Sequence, residues 1–157
     1  MQTRILMRHG KAADGMQYTD DFERPLEPRG KTEVLESAKT LRQEGIIPDV
    51  ILSSPACRAA STARIVAEVF GIDPSLIVYH APLYMSDIEV YVFILNLFKG
   101  KSVLLVGHNP FIEELAAIYT NHGVIGCPTS SAIVFEFPEG EITLKSSPKT
   151  IFVNLRK

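Results

Sequence analysis

Two arginines and two histidines, Arg8, His9, Arg58 and His108, stand where apolar runs give way to turns, and these residue types can bind and attack a phosphoryl group. A guanidinium presents a planar fork of N–H donors that matches two phosphate oxygens, and a neutral imidazole is a nucleophile toward phosphorus. Arg8-His9-Gly10 follows an apolar run over residues 3–7, Arg58 follows Val50-Ile51-Leu52 and Ser53-Ser54-Pro55, and His108-Asn109 follows a run over residues 103–106. Each is weak alone. An Arg-His-Gly triplet arises by chance, an arginine near a helix start usually faces solvent, and His108 before Asn109-Pro110 is compatible with a plain tight turn. Four such groups at matching strand ends could converge on one doubly charged tetrahedral anion.

The elements that must position them follow from periodicity. Residues 3–7 and 103–106 are short, continuously apolar runs, as expected of strands covered on both faces, and residues 50–52 form a third. Between them, Val34, Leu35, Ala38 and Leu41 recur at helical spacing over residues 30–44, with Gly45 placed to end the helix. A second helix runs from Pro55 to about Phe70, with Gly71 after it. The spacing further predicts a short strand over residues 76–79 and a helix capped by Ser86 and reaching Phe98. It also predicts a helix with Asn109 as N-cap and Pro110 as first residue. Residues 18–29 read as a surface loop, and residues 132–137, 142–144 and 151–155 as antiparallel edge strands, with a break at Pro138-Glu139-Gly140. The expected fold is a three-layer α/β/α domain over residues 1–157, with a mostly parallel sheet and antiparallel C-terminal edge strands. In such sheets ligands sit beyond the carboxyl ends of the strands. The helices starting near Pro55 and Pro110 would direct backbone N–H groups at the same anion.

Composition narrows the classes. The 157 residues are 46% apolar and 22% charged, near the globular average, and the apolar start is broken by Arg8 too early for an export signal. Two cysteines, Cys57 and Cys127, supply no disulfide framework, so the expected compartment is the cytoplasm. With 16 Lys and Arg against 18 acids and no basic run, neither nucleic acid nor membrane is an expected partner. A cysteine-based phosphatase would need an arginine six residues after its cysteine, where Ala63 and Ile133 stand, and no Gly-x-x-x-x-Gly-Lys loop exists for a nucleoside triphosphate. His80 and His122 are isolated and read as surface or packing residues; no metal-ligand spacing is present.

Taken with their flanks, these residues resemble the histidine phosphatase superfamily, the phosphoglycerate mutase-like group. The resemblance is carried by Leu6-Met7-Arg8-His9-Gly10-Lys11-Ala12, by Arg24-Pro25-Leu26 with Arg29-Gly30, by Ser53-Ser54-Pro55 with Arg58 and Thr62-Ala63, and by Val106-Gly107-His108-Asn109-Pro110. It spans residues 4 to about 116. The Arg-His-Gly-Lys-Ala form and the chain length are most similar to the small SixA-type branch of phosphohistidine phosphatases.

That resemblance implies His9 as nucleophile, Arg8 and Arg58 as phosphoryl ligands, and His108 as a further ligand that stabilises the transition state, with no metal or cofactor. His9 would attack as the neutral ring while His108 serves as donor, so the two are expected to titrate apart. Lys11 and Asn109 are added as expected substrate contacts, with Ser131 left open. Larger relatives protonate an alcohol leaving group with an acid placed between the second arginine and the second histidine. Asp87 and Glu89 are the nearest here, although Asp87 equally suits a helix first turn. The expected substrate is phosphohistidine on a partner protein, for instance a histidine phosphotransfer domain, in an open groove. A small-molecule phosphomonoesterase or mutase is the alternative, and a non-catalytic phosphate-binding module a third reading.

Overall fold

The computed structural model describes residues 1–155. Six strands, β1 (Gln2–Arg8), β2 (Val50–Ser53), β3 (Val78–Tyr79), β4 (Val103–Gly107), β5 (Ala132–Phe137) and β6 (Lys149–Asn154), form one sheet in the order β3-β2-β4-β1-β5-β6. β1, β4, β2 and β3 pair in parallel, whereas β5 runs antiparallel to both β1 and β6. Four helices cover the sheet: α1 (Pro28–Gln43) and α2 (Cys57–Phe70) on one face, α3 (Ile88–Leu95) and α4 (Phe111–Tyr119) on the other. This is the expected three-layer α/β/α arrangement with a mostly parallel sheet.

The pleat explains why the central strands lack alternation. In β1, Ile5 and Met7 pack under α1 and α2 with Ile51, Leu104 and Val134, while Leu6 packs under α3 and α4 with Leu52, Leu105 and Ile133. Both faces are buried, so both must be apolar. Arg4 is a charged exception, fully buried, its guanidinium satisfied by the carbonyls of Leu95, Thr3 and Lys101 at 2.8 Å each.

Several boundaries differ from the pattern-based expectation, each for a local reason. α1 begins at Pro28, whose fixed φ suits the first turn. Only Val78 and Tyr79 pair as β3, because Asp73-Pro74 closes a 3-10 turn just before them and the Asp73 side chain accepts the Ser75 N–H. The cap of α3 is Asp87, not Ser86: its Oδ1 accepts the Val90 N–H at 3.0 Å, and the helix stops at Leu95 instead of Phe98, which lies at φ 59°. Asn109 does not cap α4; it precedes a cis peptide to Pro110, and the helix starts at Phe111. Residues 142–144 lead into a turn instead of pairing as a strand, because the Ile142 N–H and C=O are both taken by the Asn96 side-chain amide.

One close approach fixes the start of α1 against the loop after β1. A Cβ at Gly30 would strike the Lys11 carbonyl oxygen and stand 2.9 Å from the Lys11 nitrogen, both main-chain atoms that cannot swing aside. Gly30→Ala is therefore expected to cost about 2–3 kcal/mol in chemical denaturation, and a loss under about 0.5 kcal/mol would contradict this packing.

Candidate active site

The parallel pairing of β1 with β4 sets Arg8 opposite Gly107, so the next residue of each strand, His9 and His108, emerges at the same sheet edge. The His9 N–H donates to the Gly107 carbonyl at 3.1 Å, and its carbonyl accepts the Ser130 N–H at 3.1 Å, which fixes the backbone on both sides. The rings lie 4.9 Å apart, centroid to centroid. α2 starts just after β2, the other neighbour of β4, and delivers Arg58: its Nε is 3.4 Å from His9 Nε2. Thr62, one turn further on, accepts the Gly10 N–H at 3.0 Å and donates to the Arg58 carbonyl at 2.8 Å, tying the loop after β1 to α2.

His9 Nδ1 is 2.7 Å from the Gly10 carbonyl oxygen. A carbonyl only accepts, so Nδ1 carries the proton and Nε2 carries the lone pair. The Arg58 N–H directed at Nε2 agrees with that tautomer. Burial, reinforced by His108 and the two arginines, lowers the His9 ring from its ordinary 6.5 to about 3. His108 is lowered to about 4, first by burial and then by Arg58. The two rings thus lie close together, not apart as their expected roles suggest, because the same burial acts on both. A phosphoryl dianion beside them would favour protonation of His108.

These residues line a cavity of about 420 Å³ with Asp21, Arg24, Tyr84, Met85, Asn109, Pro110 and Phe111. Arg8 reaches it from β1, its Nη1 donating to the Cys127 carbonyl at 2.9 Å and its buried Nε unpaired. The Asn109 side-chain nitrogen donates to Glu113 at 3.1 Å and to the Cys127 carbonyl at 3.0 Å. Lys11 does not join them: its side chain is exposed and off the cavity wall, while its carbonyl accepts the Glu27 N–H. Ser131 is buried, its hydroxyl unpaired and its carbonyl accepting the Arg8 N–H. Neither expected acid reaches the cavity. Asp87 is spent as the α3 cap, and Glu89 faces a separate groove beside Phe93 and Leu144. His80 and His122 also lie off the wall.

Four contributors escaped the sequence reading. Ser54 Oγ lies 2.8 Å from His108 Nε2 and accepts the Ala56 N–H at 3.2 Å, so the turn serine orients the ring. The Tyr91 hydroxyl accepts the His108 N–H at 3.2 Å and donates to the Leu83 carbonyl at 2.6 Å. Asp21 and Tyr84 complete the wall beside Arg58: Tyr84 donates to Asp21 Oδ2 at 2.7 Å, and its ring meets His108 edge-on at 5.5 Å. Ser54 stands in the turn before α2 that carries the resemblance, whereas a lone Asp or Tyr in a loop gives no periodic signal. Removing the Ser54 hydroxyl frees the His108 ring to rotate, so Ser54→Ala is expected to lower kcat about tenfold to a hundredfold with a smaller change in KM. Steady-state kinetics checks this, and an unchanged kcat would refute the orienting role.

The family model of the histidine phosphatase superfamily (branch 1) matches residues 4–78, which include Arg8, His9 and Arg58. A protein of Agrobacterium tumefaciens assigned as the phosphohistidine phosphatase SixA is 32% identical and superposes with a TM-score of 0.77, over 85% of this chain and 90% of that one. The chain belongs to the histidine phosphatase superfamily. An uncharacterized protein of Picosynechococcus sp. is also 32% identical, over 90% of this chain and 94% of its own. The fold extends to the protein histidine phosphatase SixA in complex with tungstate, with a TM-score of 0.80 at 23% identity over 96% and 95% of the two chains. As a member of the histidine phosphatase superfamily with SixA-type neighbours, the protein is a phosphatase by class. No helix among the described residues is long and apolar enough to cross a membrane.

Proposed function

We propose that this histidine phosphatase removes the phosphoryl group from phosphohistidine on a partner protein, by way of phosphorylated His9, and that residues 1–157 act as one catalytic domain. The carrying observation is the His9 ring, held by Gly10 with Nε2 unprotonated on a wall shared with Arg8, Arg58 and His108. The Nε2 lone pair forms the new bond to phosphorus while the bond to the leaving group breaks. Water then attacks phospho-His9, releasing orthophosphate and restoring the ring. Arg8, Arg58 and His108 bind the equatorial oxygens and offset their charge; Asn109 stands at the rim, and Lys11 is left out of the binding set.

The leaving group follows from what the wall lacks in free acid. Asp21 is the one carboxylate lining the cavity among the described residues, and its hydrogen bond from Tyr84, with those from Arg58 and Arg24, holds it down to about 2. It is an anion at neutral pH and does not donate a proton to a departing alkoxide. A phosphoramidate has less need of one, because an imidazole protonated at its other nitrogen departs neutral. A partner such as a histidine phosphotransfer domain carries that chemistry, and the free thiols Cys57 and Cys127 suit a reducing cytoplasm. Turnover of p-nitrophenyl phosphate, sugar phosphates and a phosphohistidine peptide tests the assignment. The highest kcat/KM is expected for the peptide, and far faster turnover of the small esters would end the protein-substrate reading.

A further inference from the structure

Asp21 does more than close the wall. Its backbone carbonyl accepts Arg58 Nη1 at 2.8 Å and its Oδ2 accepts Arg58 Nη2 at 3.0 Å, while Oδ1 accepts Arg24 Nε at 2.9 Å. The Arg58 side chain is 7% exposed, whereas the Asp21 side chain is 50% exposed, so one carboxylate both grips a buried guanidinium and faces the approach to His9. Arg24 is further held by its Nη1, which donates to the Ala13 carbonyl at 2.9 Å. Lys11 stands off the wall. Beyond the groups that would hold the phosphoryl oxygens, the further cation on the wall among the described residues is Arg24, which is ion-paired to Asp21, and the wall's carboxylate is Asp21 itself.

We infer that Asp21 is a specificity-determining residue, a charge filter that rejects phosphorylated substrates carrying a carboxylate or second phosphate near the reacting bond and favours neutral or cationic leaving groups. The inference rests on the phosphatase reading above and adds the substrate's charge class to it. Removing a carboxylate a few ångströms from the leaving group changes the preference between an anionic and a neutral substrate by about five- to tenfold, at the effective dielectric of a half-exposed site.

Three aryl phosphates of similar size test it: phenyl phosphate, 4-carboxyphenyl phosphate and 4-(aminomethyl)phenyl phosphate. Intrinsic leaving-group reactivity cancels when each variant is referred to wild type, and so does any loosening of Arg58, which all three esters share. In Asp21→Asn, kcat/KM for the carboxylate ester is expected to rise about five- to tenfold relative to phenyl phosphate, and that for the ammonium ester to fall by a similar factor. Asp21→Glu restores the wild-type order. Glu23→Gln, which removes a charge in the same loop but off the cavity wall, leaves it unchanged. If Asp21→Asn is inactive, wild type still decides: added salt narrows the gap between the ammonium and carboxylate esters. An unaltered order in an active Asp21→Asn, or a gap indifferent to salt, overturns the filter alone. A wild type that hydrolyses none of the esters and no phosphoramidate overturns the phosphatase reading and the filter with it.

Discussion

His9→Ala is expected to lower kcat by at least about 10⁴-fold and to abolish acid-labile labelling of the protein by a ³²P-phosphorylated substrate. The size follows from the role. Alanine removes the atom that forms the bond to phosphorus, and the remaining Arg8, Arg58 and His108 can only stabilise attack by water, which is neither oriented nor desolvated in the same way. The fold should survive, because the His9 backbone bonds to Gly107 and Ser130 do not involve the ring. Rapid-quench labelling and steady-state turnover read the two consequences separately. Labelling and hydrolysis that both persist would place the nucleophile elsewhere and remove the covalent mechanism.

The second large effect is acid sensitivity of the fold without acid sensitivity of the reaction near neutrality. An unfolded histidine protonates near 6.5, whereas His9 and His108 in the folded protein do so near about 3 and about 4. Between those values the unfolded chain binds more protons than the folded one, so the free energy of unfolding falls as pH falls through that window. Summed over both rings, the loss from pH 7 to about pH 4.5 is on the order of 3–5 kcal/mol, a large share of a typical domain's stability. Denaturant titrations across that range measure it, and replacing both rings should flatten the curve. The same displacement keeps His9 neutral, so kcat/KM for an uncharged leaving group, corrected for the substrate's own phosphoryl ionisation at about pH 6, should hold level from pH 8 to about pH 5. NMR titration showing His9 protonating near 6.5 would remove both expectations.

The sheet and its two helical layers were legible because burial on both faces writes itself as unbroken apolar runs, and 3.6-residue spacing marks the helices against them. The strand-end rule then located Arg8, His9, Arg58 and His108, four residues whose local sequence is ambiguous and whose common edge is not. Tertiary hydrogen bonds were not legible. Asn109 has the composition of an N-cap, yet its amide is drawn to Glu113 and Cys127. Residues 142–144 have the composition of a strand, yet Asn96 takes the Ile142 backbone and Ser146 and Tyr119 that of Thr143. Asp21 and Tyr91 gain their significance only from partners 37 and 17 residues away, Arg58 and His108. Asp87 and Glu89 were the right residue type at a plausible distance along the chain, but α3 turns one into a cap and faces the other outward.

Strand order also sets when the protein can become active during its own synthesis. β1 is made before both of its neighbours, β4 and β5, so neither of its hydrogen-bonded edges finds its partner until residues 103–107 and then 132–137 have left the ribosome. Until then an apolar strand with two open edges, with His9 just past its end, is exposed to wrong pairing. The long sequence separation between these partners makes their closure slow relative to helix formation. A chain arrested before β4 would thus carry Arg8, His9 and Arg58 with no site around them, and would be a client for holding chaperones. Appearance of phosphatase activity in a translation time course would report the moment the centre of the sheet closes.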